Sequence, residues 1–345
     1  MLKIGVIGLG KMGMLHMINA TRFRNVVIVA AADASKKRLH NAAVLGAKNL
    51  FSDFRELLEL DLDAVIISLP NFLHRESIEL ALENGMNVFV EKPMARTTEE
   101  CRSIVNAVEK SGRKLMVGHC MRFFDMVREM KGTLDNGNLG QLENVTLENI
   151  VSGPFSYGDI PQPVPEWWFD PEKVGGGALL DIGYHLIDLY RFFAGDCHLL
   201  SSHLKHKFNM PVEDTAIAVV QSDKSSSSGI IHVGWYQQMV LSRNDMRVIL
   251  HGDYAYISSE QFEPSNVYAY AIKEGVKNVF RKIGGRRIRP LTFSQHLDAY
   301  EQELKHFFNC LEKDLEPSVT AIDGLRTLEV IEEAYRRDKR VIVGD

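Results

Sequence analysis

Short apolar runs alternate with amphipathic segments over the first 120 residues of the chain. The segments between the runs carry apolar residues at helical spacing, and 97–112 adds a leading threonine, early acidic residues and a terminal glycine, which are typical of helix ends. Strands that alternate with helices predict an α/β domain with a doubly wound parallel sheet. The apolar runs predict buried strands at 3–8, 26–32, 63–69, 87–91 and 114–119.

Beyond residue 121 the pattern changes to longer runs in which apolar and polar positions alternate. We therefore predict a dinucleotide-binding domain at 1–121 and an α+β domain at 122–345, built on an open, mainly antiparallel sheet. The alternating runs lie at 141–152, 215–221, 229–236 and 246–252, and helical patterns lie at 175–189, 294–314 and 321–339. The last two helices are free to pack back on the first domain.

Length, composition and charge exclude several classes of protein. A chain of 345 residues is long enough for two cores, and 45% hydrophobic with 25% charged residues is ordinary for a globular protein. The net charge of −5 disfavours a nucleic-acid partner. The four cysteines are dispersed and show no metal-ligand spacing, and no apolar run approaches a membrane span. We expect a cytoplasmic protein without a metal, nucleic-acid or membrane partner.

A glycine motif follows the first predicted strand and opens a helix. Its six residues are Gly8, Leu9, Gly10, Lys11, Met12 and Gly13. Glycines at this spacing allow a tight turn and close approach of the backbone to a pyrophosphate. Asp33 follows 20 residues after Gly13, where its carboxylate can bind ribose hydroxyls, which favours NAD. The cations at 36–38 leave NADP open, and a methyltransferase could use a similar loop for its own nucleoside.

Two later strand ends add candidate ligand contacts at the carboxyl edge of the sheet. The first strand end contains Ser68, Leu69, Pro70, Asn71 and His74. These residues either contact the cofactor or form a simple proline turn. The second end, Glu91-Lys92-Pro93, places a lysine where its ammonium could bind a substrate oxygen, although such a tripeptide is also common in surface turns.

The helical run at 175–189 carries a polar stripe on an otherwise apolar helix. Asp181, His185, Asp188 and Arg191 recur at intervals of four, three and three, so a regular helix would point them the same way. We expect the helix to be buried and the first two to face a cleft, with Asp188 and Arg191 in structural ion pairs.

Taken together, these motifs resemble the Gfo/Idh/MocA oxidoreductases. The resemblance spans nearly the whole chain and rests on the motifs at 8–13, 70–74, 91–93, 175–189 and 321–337. EKP combined with DxGxH is more specific than the glycine motif and excludes the methyltransferase alternative. The resemblance implies that Lys92, Asp181 and His185 act together beside the nicotinamide, that Glu91 and Lys92 contact the cofactor, and that the Lys92–Pro93 peptide is cis.

The chemistry of these three side chains suits oxidation of a secondary alcohol. We assign His185 as proton acceptor, Asp181 as the carboxylate that binds substrate and orients the imidazole, and Lys92 as the donor that stabilises the developing alkoxide. In some relatives the lysine transfers the proton, so the division between His185 and Lys92 stays open.

Other residues bear on the substrate and the cofactor. Trp168 stands where the family often has an arginine, and it either stacks on a sugar or base or only packs. Arg122 matches an arginine that relatives use near the cofactor or substrate, with a surface ion pair as the alternative. The basic segment 281–290 is either a solvated loop or a site for substrate phosphates.

These inferences predict an NAD(P)-dependent dehydrogenase, with NAD favoured, acting on a hydroxyl of a sugar, cyclitol or nucleotide sugar. Two alternatives remain at this stage: an NAD-dependent glycosidase that oxidises its sugar transiently, and a non-catalytic NAD-binding regulator. The resemblance also implies a homodimer or homotetramer formed through the open sheet.

Overall fold

The computed structural model describes residues 1–151, 153–155, 165–236, 246–263, 267–284, 288 and 296–338. The strands are β1 Leu2–Ile7, β2 Val26–Ala32, β3 Asn49–Phe51, β4 Ala64–Ile67, β5 Asn87–Glu91, β6 Leu115–Gly118, β7 Leu142–Ile150, β8 Cys197–Lys205, β9 Thr215–Ser222, β10 Ser228–Gly234, β11 Met246–Gly252 and β12 Tyr256–Ser258. The α-helices are α1 Lys11–Ala20, α2 Lys36–Val44, α3 Phe54–Leu57, α4 His74–Glu83, α5 Thr98–Ser111, α6 Asp125–Asp135, α7 Pro171–Val174, α8 Tyr184–Ala194, α9 Val267–Ile283, α10 His296–Lys313 and α11 Ala321–Arg337.

The first sheet is parallel, with strand order β3-β2-β1-β4-β5-β6. Its central strand β4 is fully buried because helices cover both faces, which explains its continuous apolar sequence. The order reverses between β1 and β4, which creates a crevice at the carboxyl ends of these two strands. The five predicted strands are confirmed, and the structure adds the short edge strand β3.

The second sheet has the order β12-β11-β7-β10-β9-β8. Strands β7 and β10 pair in parallel, and the other neighbours are antiparallel. Burial alternates along β9 and β10, so one face of this sheet packs on the core while the other is more open. The predicted fold class, a Rossmann-type α/β domain followed by a mainly antiparallel α+β domain, is therefore confirmed.

The two C-terminal helices, α10 and α11, pack against the first domain, an arrangement that the sequence left open. Arg22 pairs with Glu301 of α10 at 2.7 Å, and Thr98 of α5 donates to Glu332 of α11 at 2.7 Å. The segment between these helices continues the contact, since the Val117 amide donates to the Val319 oxygen at 3.0 Å. The boundary at residues 121 and 122 remains a prediction.

The helical run predicted at 175–189 differs from a regular helix. Residues Leu179–Gly183 form one turn of π-helix, and α8 follows directly from Tyr184. Asp181 lies inside this wider turn and His185 lies just after it, so the two side chains do not have the angular separation of four residues in a regular α-helix. None of the helices in the described ranges has both the length and the apolar character needed to cross a membrane.

Candidate active site

The glycine motif forms the turn between β1 and α1 and leaves space for a ligand in front of the helix. Gly8 has φ +81°, and a Cβ on Gly13 would lie 1.7 Å from the Gly8 oxygen, so both positions require glycine for the fold itself. A Cβ on Gly10, by contrast, would meet no described atom within 4 Å. Gly10 is also the N-cap of α1 and has no side chain to cap the helix, so amide groups remain available for a pyrophosphate.

Asp33 lies at the end of β2 beside the same loop. Its carboxylate accepts hydrogen bonds from the Leu9 amide at 2.7 Å and the Ser35 amide at 2.8 Å, which fixes it next to the glycine turn. Arg38 approaches Asp33 at 3.4 Å, while the two preceding lysines are exposed. The carboxylate is placed to bind ribose hydroxyls, and the nearby guanidinium is the feature that could favour a 2′-phosphate.

The loop after β4 borders the glycine turn, as predicted. A Cβ on Gly8 would lie 2.5 Å from the Ser68 oxygen, and the half-buried Ser68, Leu69 and Pro70 follow from there. Asn71 and His74 are buried instead. The Asn71 amide donates to the Val174 oxygen at 2.6 Å, and the His74 ring nitrogens each lie 2.9 Å from a backbone oxygen, of Leu69 and Pro93. We expect these last two to hold the loop rather than touch a cofactor.

Glu91 is the last residue of β5 and immediately precedes Lys92. Its carboxylate pairs with the buried His16 of α1 at 2.5 Å. Burial would raise the pKa of Glu91, but the hydrogen bond and charge of His16 outweigh it and keep this pKa below its ordinary value. Glu91 therefore links the glycine-loop helix to the strand that presents Lys92, and sequence reasoning gave no signal for its histidine partner.

Lys92 and Asp181 meet across the two domains. The Lys92 Nζ donates to Asp181 Oδ1 at 2.7 Å and to the Asp181 main-chain oxygen at 2.8 Å. Both side chains keep partial access to solvent, at 17% for the lysine and 29% for the aspartate. The Lys92–Pro93 peptide is cis, as the resemblance implied. The structure thus brings together two of the three predicted catalytic side chains.

His185 lies at the start of α8 with 9% of its surface exposed. The ring of His119 contacts it edge to face, with centroids 5.8 Å apart. His119 stacks on Tyr184 at 5.0 Å, and burial lowers the pKa of His119 to about 4, so this ring is neutral at pH 7. His119 is the last residue of the predicted strand 114–119. Because ligands bind at the carboxyl ends of these strands, this position could have indicated a residue near the site.

Arg122, Asp188 and Arg191 form a buried ion-pair cluster. Arg122 donates to both oxygens of Asp188, at 2.5 and 2.7 Å, and to the Ser318 oxygen at 2.9 Å. Arg191 pairs with Asp196 at 2.7 Å, and both arginines lie 3.4 Å from Asp323. The structural role predicted for Asp188 and Arg191 agrees with these contacts. Arg122 is held in the same cluster, buried rather than on the surface, and a direct contact with cofactor remains a prediction.

Glu213 holds the glycine-rich segment that precedes Asp181. It accepts hydrogen bonds at 2.9 Å from the Gly177 amide, the Leu179 amide and the Tyr335 hydroxyl. Burial raises the pKa of Glu213 to about 7. A Cβ on Gly177 would lie 1.9 Å from the Glu213 oxygen, so the close approach requires glycine. Sequence reasoning missed this residue because its partners are more than thirty positions away.

Trp168 belongs to a row of aromatic rings that reaches Phe72 of the first domain. Phe72, Trp167, Trp168 and Trp235 follow each other with centroids 5.9 to 6.4 Å apart. The two central rings are half-buried, so part of their surface remains accessible to solvent. Of the predicted phosphate segment 281–290, only 281–284 and 288 fall within the described residues.

Comparisons with known proteins agree with this geometry. Residues 2–119 match a family model described as "Oxidoreductase family, NAD-binding Rossmann fold", and residues 131–341 match its "C-terminal alpha/beta domain". Inositol 2-dehydrogenase of Rhizobium meliloti is 26% identical over 97% of this chain and 96% of its own length. Scyllo-inositol 2-dehydrogenase (NAD(+)) of Bacillus subtilis is 27% identical over 95% and 91%.

A solved structure shows the same fold. Scyllo-inositol dehydrogenase of Lactobacillus casei, with bound NAD(H) and scyllo-inositol, superposes with a TM-score of 0.76 at 22% identity and covers 96% of both chains. The glycine turn, Asp33 and the space in front of Gly10 fit the NAD that the family model implies. The chain therefore belongs to the Gfo/Idh/MocA family, whose members are NAD-binding oxidoreductases.

Proposed function

We propose that the protein oxidises one secondary hydroxyl of a cyclitol or sugar with NAD and, in reverse, reduces the corresponding ketone. The observation that carries this proposal is the contact between Lys92 Nζ and Asp181 Oδ1, 2.7 Å apart where the two domains meet. A charged pair with partial solvent access, on a strand end beside the glycine turn, suits a small polar substrate better than a packing role.

Each side chain has a separate task in this proposal. NAD, when bound, supplies the acceptor for the hydride that leaves the carbinol carbon. His185 accepts the hydroxyl proton, and the Lys92 ammonium stabilises the negative charge on that oxygen. Asp181 positions the Lys92 ammonium through their 2.7 Å hydrogen bond and binds a neighbouring substrate hydroxyl. The alternative in which Lys92 itself moves the proton uses the same three groups.

The substrate class follows from the relatives and from the aromatic row. Two relatives are inositol dehydrogenases, so cyclitols are the first substrates to test. Trp168 is half-buried in the aromatic row, and we propose that its ring stacks on the apolar side of a sugar or on a nucleotide base. A nucleotide sugar is therefore the second substrate class. The relatives compared are dehydrogenases, which gives no support to the glycosidase or regulator alternatives.

Two measurements test this proposal. Mass spectrometry of nucleotide that co-purifies with the protein is expected to find NAD or NADH. A screen of cyclitols, free sugars and nucleotide sugars with NAD is then expected to give NADH absorbance with at least one of them. Release of sugar from an aryl glycoside without net NADH would overturn the proposal in favour of the glycosidase alternative.

We also propose assembly through the open face of the second sheet. Ile217 and Ile230 point outward from β9 and β10 and are 37% and 41% exposed, a pattern that a second copy could cover. Light scattering is expected to give the mass of a dimer or tetramer, and a monomer would refute this part. A cytoplasmic location stays a prediction.

A further inference from the structure

Helix α9 exposes six of its large apolar side chains, while two of its polar side chains are buried. Glu274 and Asn278 are only 3% and 8% exposed. Helices on the surface of soluble proteins show the opposite arrangement, because apolar area is normally removed from water. Six large apolar side chains, each at least 55% exposed, form what we name the apolar stripe of α9: Tyr268, Ile272, Val276, Val279, Phe280 and Ile283.

The stripe is continuous along the whole helix. Five of its members are spaced four, four, three and four residues apart, and Phe280 lies beside them. With 3.6 residues per turn, all six fall within an arc of about 120°. Single exposed apolar residues are common in soluble proteins, but a contiguous exposed patch of this kind marks an interaction surface.

Positive charge borders the stripe. Lys273, Lys277 and Lys282 are exposed on the same helix. Residues 267–290 contain seven lysines and arginines and one acidic residue, in a chain whose net charge is −5. That one acidic residue, Glu274, is buried and pairs with Arg281 and, at 3.8 Å, with Lys277, so among the described residues it offsets one of the three exposed lysines. The surface around the stripe is therefore basic in a protein that is acidic overall.

The positive charge beside the apolar stripe distinguishes between two possible binding partners, a second copy of the chain and a phospholipid membrane. If the stripes of two copies faced each other, the lysines beside them would be brought together, which like-charge repulsion disfavours. An anionic phospholipid surface complements both features at once. Apolar side chains enter the boundary between headgroups and acyl chains, while lysines at the edges of the stripe reach the phosphates.

We propose that α9 lies in the surface of an anionic phospholipid membrane and holds the enzyme there. The helix has 17 residues, which is shorter than the roughly 20 that a spanning helix needs, so it lies along the surface. This proposal departs from our expectation of no membrane partner, which rested on the absence of a span. It does not depend on the proposed function, because no residue assigned to hydride transfer or to NAD binding lies on α9.

Co-sedimentation of the full chain with lipid vesicles tests the proposal. Wild type is expected to sediment with vesicles in which about a third of the lipid is phosphatidylglycerol, to bind phosphatidylcholine vesicles weakly, and to dissociate as salt rises. The double variant Ile272→Glu/Phe280→Glu is expected to bind at least about tenfold more weakly, since it places two charges in the apolar stripe. Both positions are 70% exposed, so folding and dehydrogenase activity in solution should persist.

Val44→Glu is the matched control, because Val44 is 76% exposed on the distant helix α2. It is expected to bind vesicles like wild type. Lys273→Glu/Lys277→Glu is expected to weaken binding only to the anionic vesicles. Equal binding of wild type to both lipid compositions would overturn the proposal, as would undiminished binding of the stripe variant. A wild type that ignores vesicles, combined with a stripe variant of lower mass by light scattering, would show that a second copy covers the stripe.

Discussion

Replacing Lys92 by Met tests the role of the ammonium group at the candidate active site. The substitution keeps an unbranched side chain of similar size but removes the charge and both hydrogen bonds to Asp181. Both partners keep partial solvent access, so the lost pair costs only about 1 kcal/mol of stability. A donor that stabilises charge during the reaction contributes about 10²–10³-fold in rate. We expect kcat/KM to fall by about that factor while the protein stays folded.

The assay measures NADH formation with the best substrate from the screen, and NAD affinity by titration in the absence of substrate. NAD affinity should change little, since the glycine turn and Asp33 are unaffected by the substitution. Lys114→Met is the matched control, because Lys114 is 19% exposed and forms an ion pair at 2.8 Å with Asp314. The control is expected to keep wild-type activity.

Two results would refute this reasoning. Lys92→Met that keeps more than about a tenth of the wild-type kcat/KM would show that the ammonium is not needed for the reaction. A loss of NAD affinity as large as the loss of kcat/KM would place Lys92 in cofactor binding alone.

Three further predictions concern the cofactor loop, a titrating carboxyl and the buried ion pairs. Gly10→Ala should leave the melting temperature unchanged but weaken NAD binding about tenfold or more, whereas Gly13→Ala should lower the melting temperature because its Cβ meets the backbone; equal melting temperatures would contradict this. Because the pKa of Glu213 is raised to about 7, its protonated form is favoured in the fold, and its contribution to stability is present at low pH and lost as pH rises through about 7. The melting temperature of wild type relative to Glu213→Gln should therefore fall between about pH 5 and pH 8, and a difference constant with pH would refute the assignment. Arg122→Leu leaves the buried Asp188 charge without its main partner and should lower the free energy of unfolding by about 3–5 kcal/mol in denaturant titrations, whereas a loss below about 1 kcal/mol would contradict a structural role.

The sequence was sufficient to predict the parallel sheet, because its strands are buried on both faces. The run at 26–32 matches β2 at both ends, and 87–91 matches β5. Strands β3 and β12 have three residues each, too few for a periodic signal to appear. Strand β8 was missed because its serines and histidines weaken the apolar alternation.

The candidate site, like the fold, could be predicted from the sequence only in part. The sequence pattern placed Lys92 at a strand end and Asp181 on a helix stripe, and only the family resemblance implied that the two are neighbours. The contacts that hold them were not predictable, because they join distant segments. His16 reaches Glu91 across 75 positions, and Glu213 reaches Gly177 across 36. The π-turn before α8 was also missed, since helical periodicity alone assumes 3.6 residues per turn.

The central claim is that these residues direct hydride transfer from one carbinol carbon to NAD. The most direct measurement is mass spectrometry of the nucleotide after incubation with NAD and the active cyclitol or sugar, deuterated at the carbinol carbons. NADH carrying one deuterium is expected from the wild-type protein and from Lys114→Met, and its rate of formation by Lys92→Met is expected to be about 10²–10³-fold lower. Reduced nucleotide without deuterium, or equal transfer by Lys92→Met, would contradict the central claim.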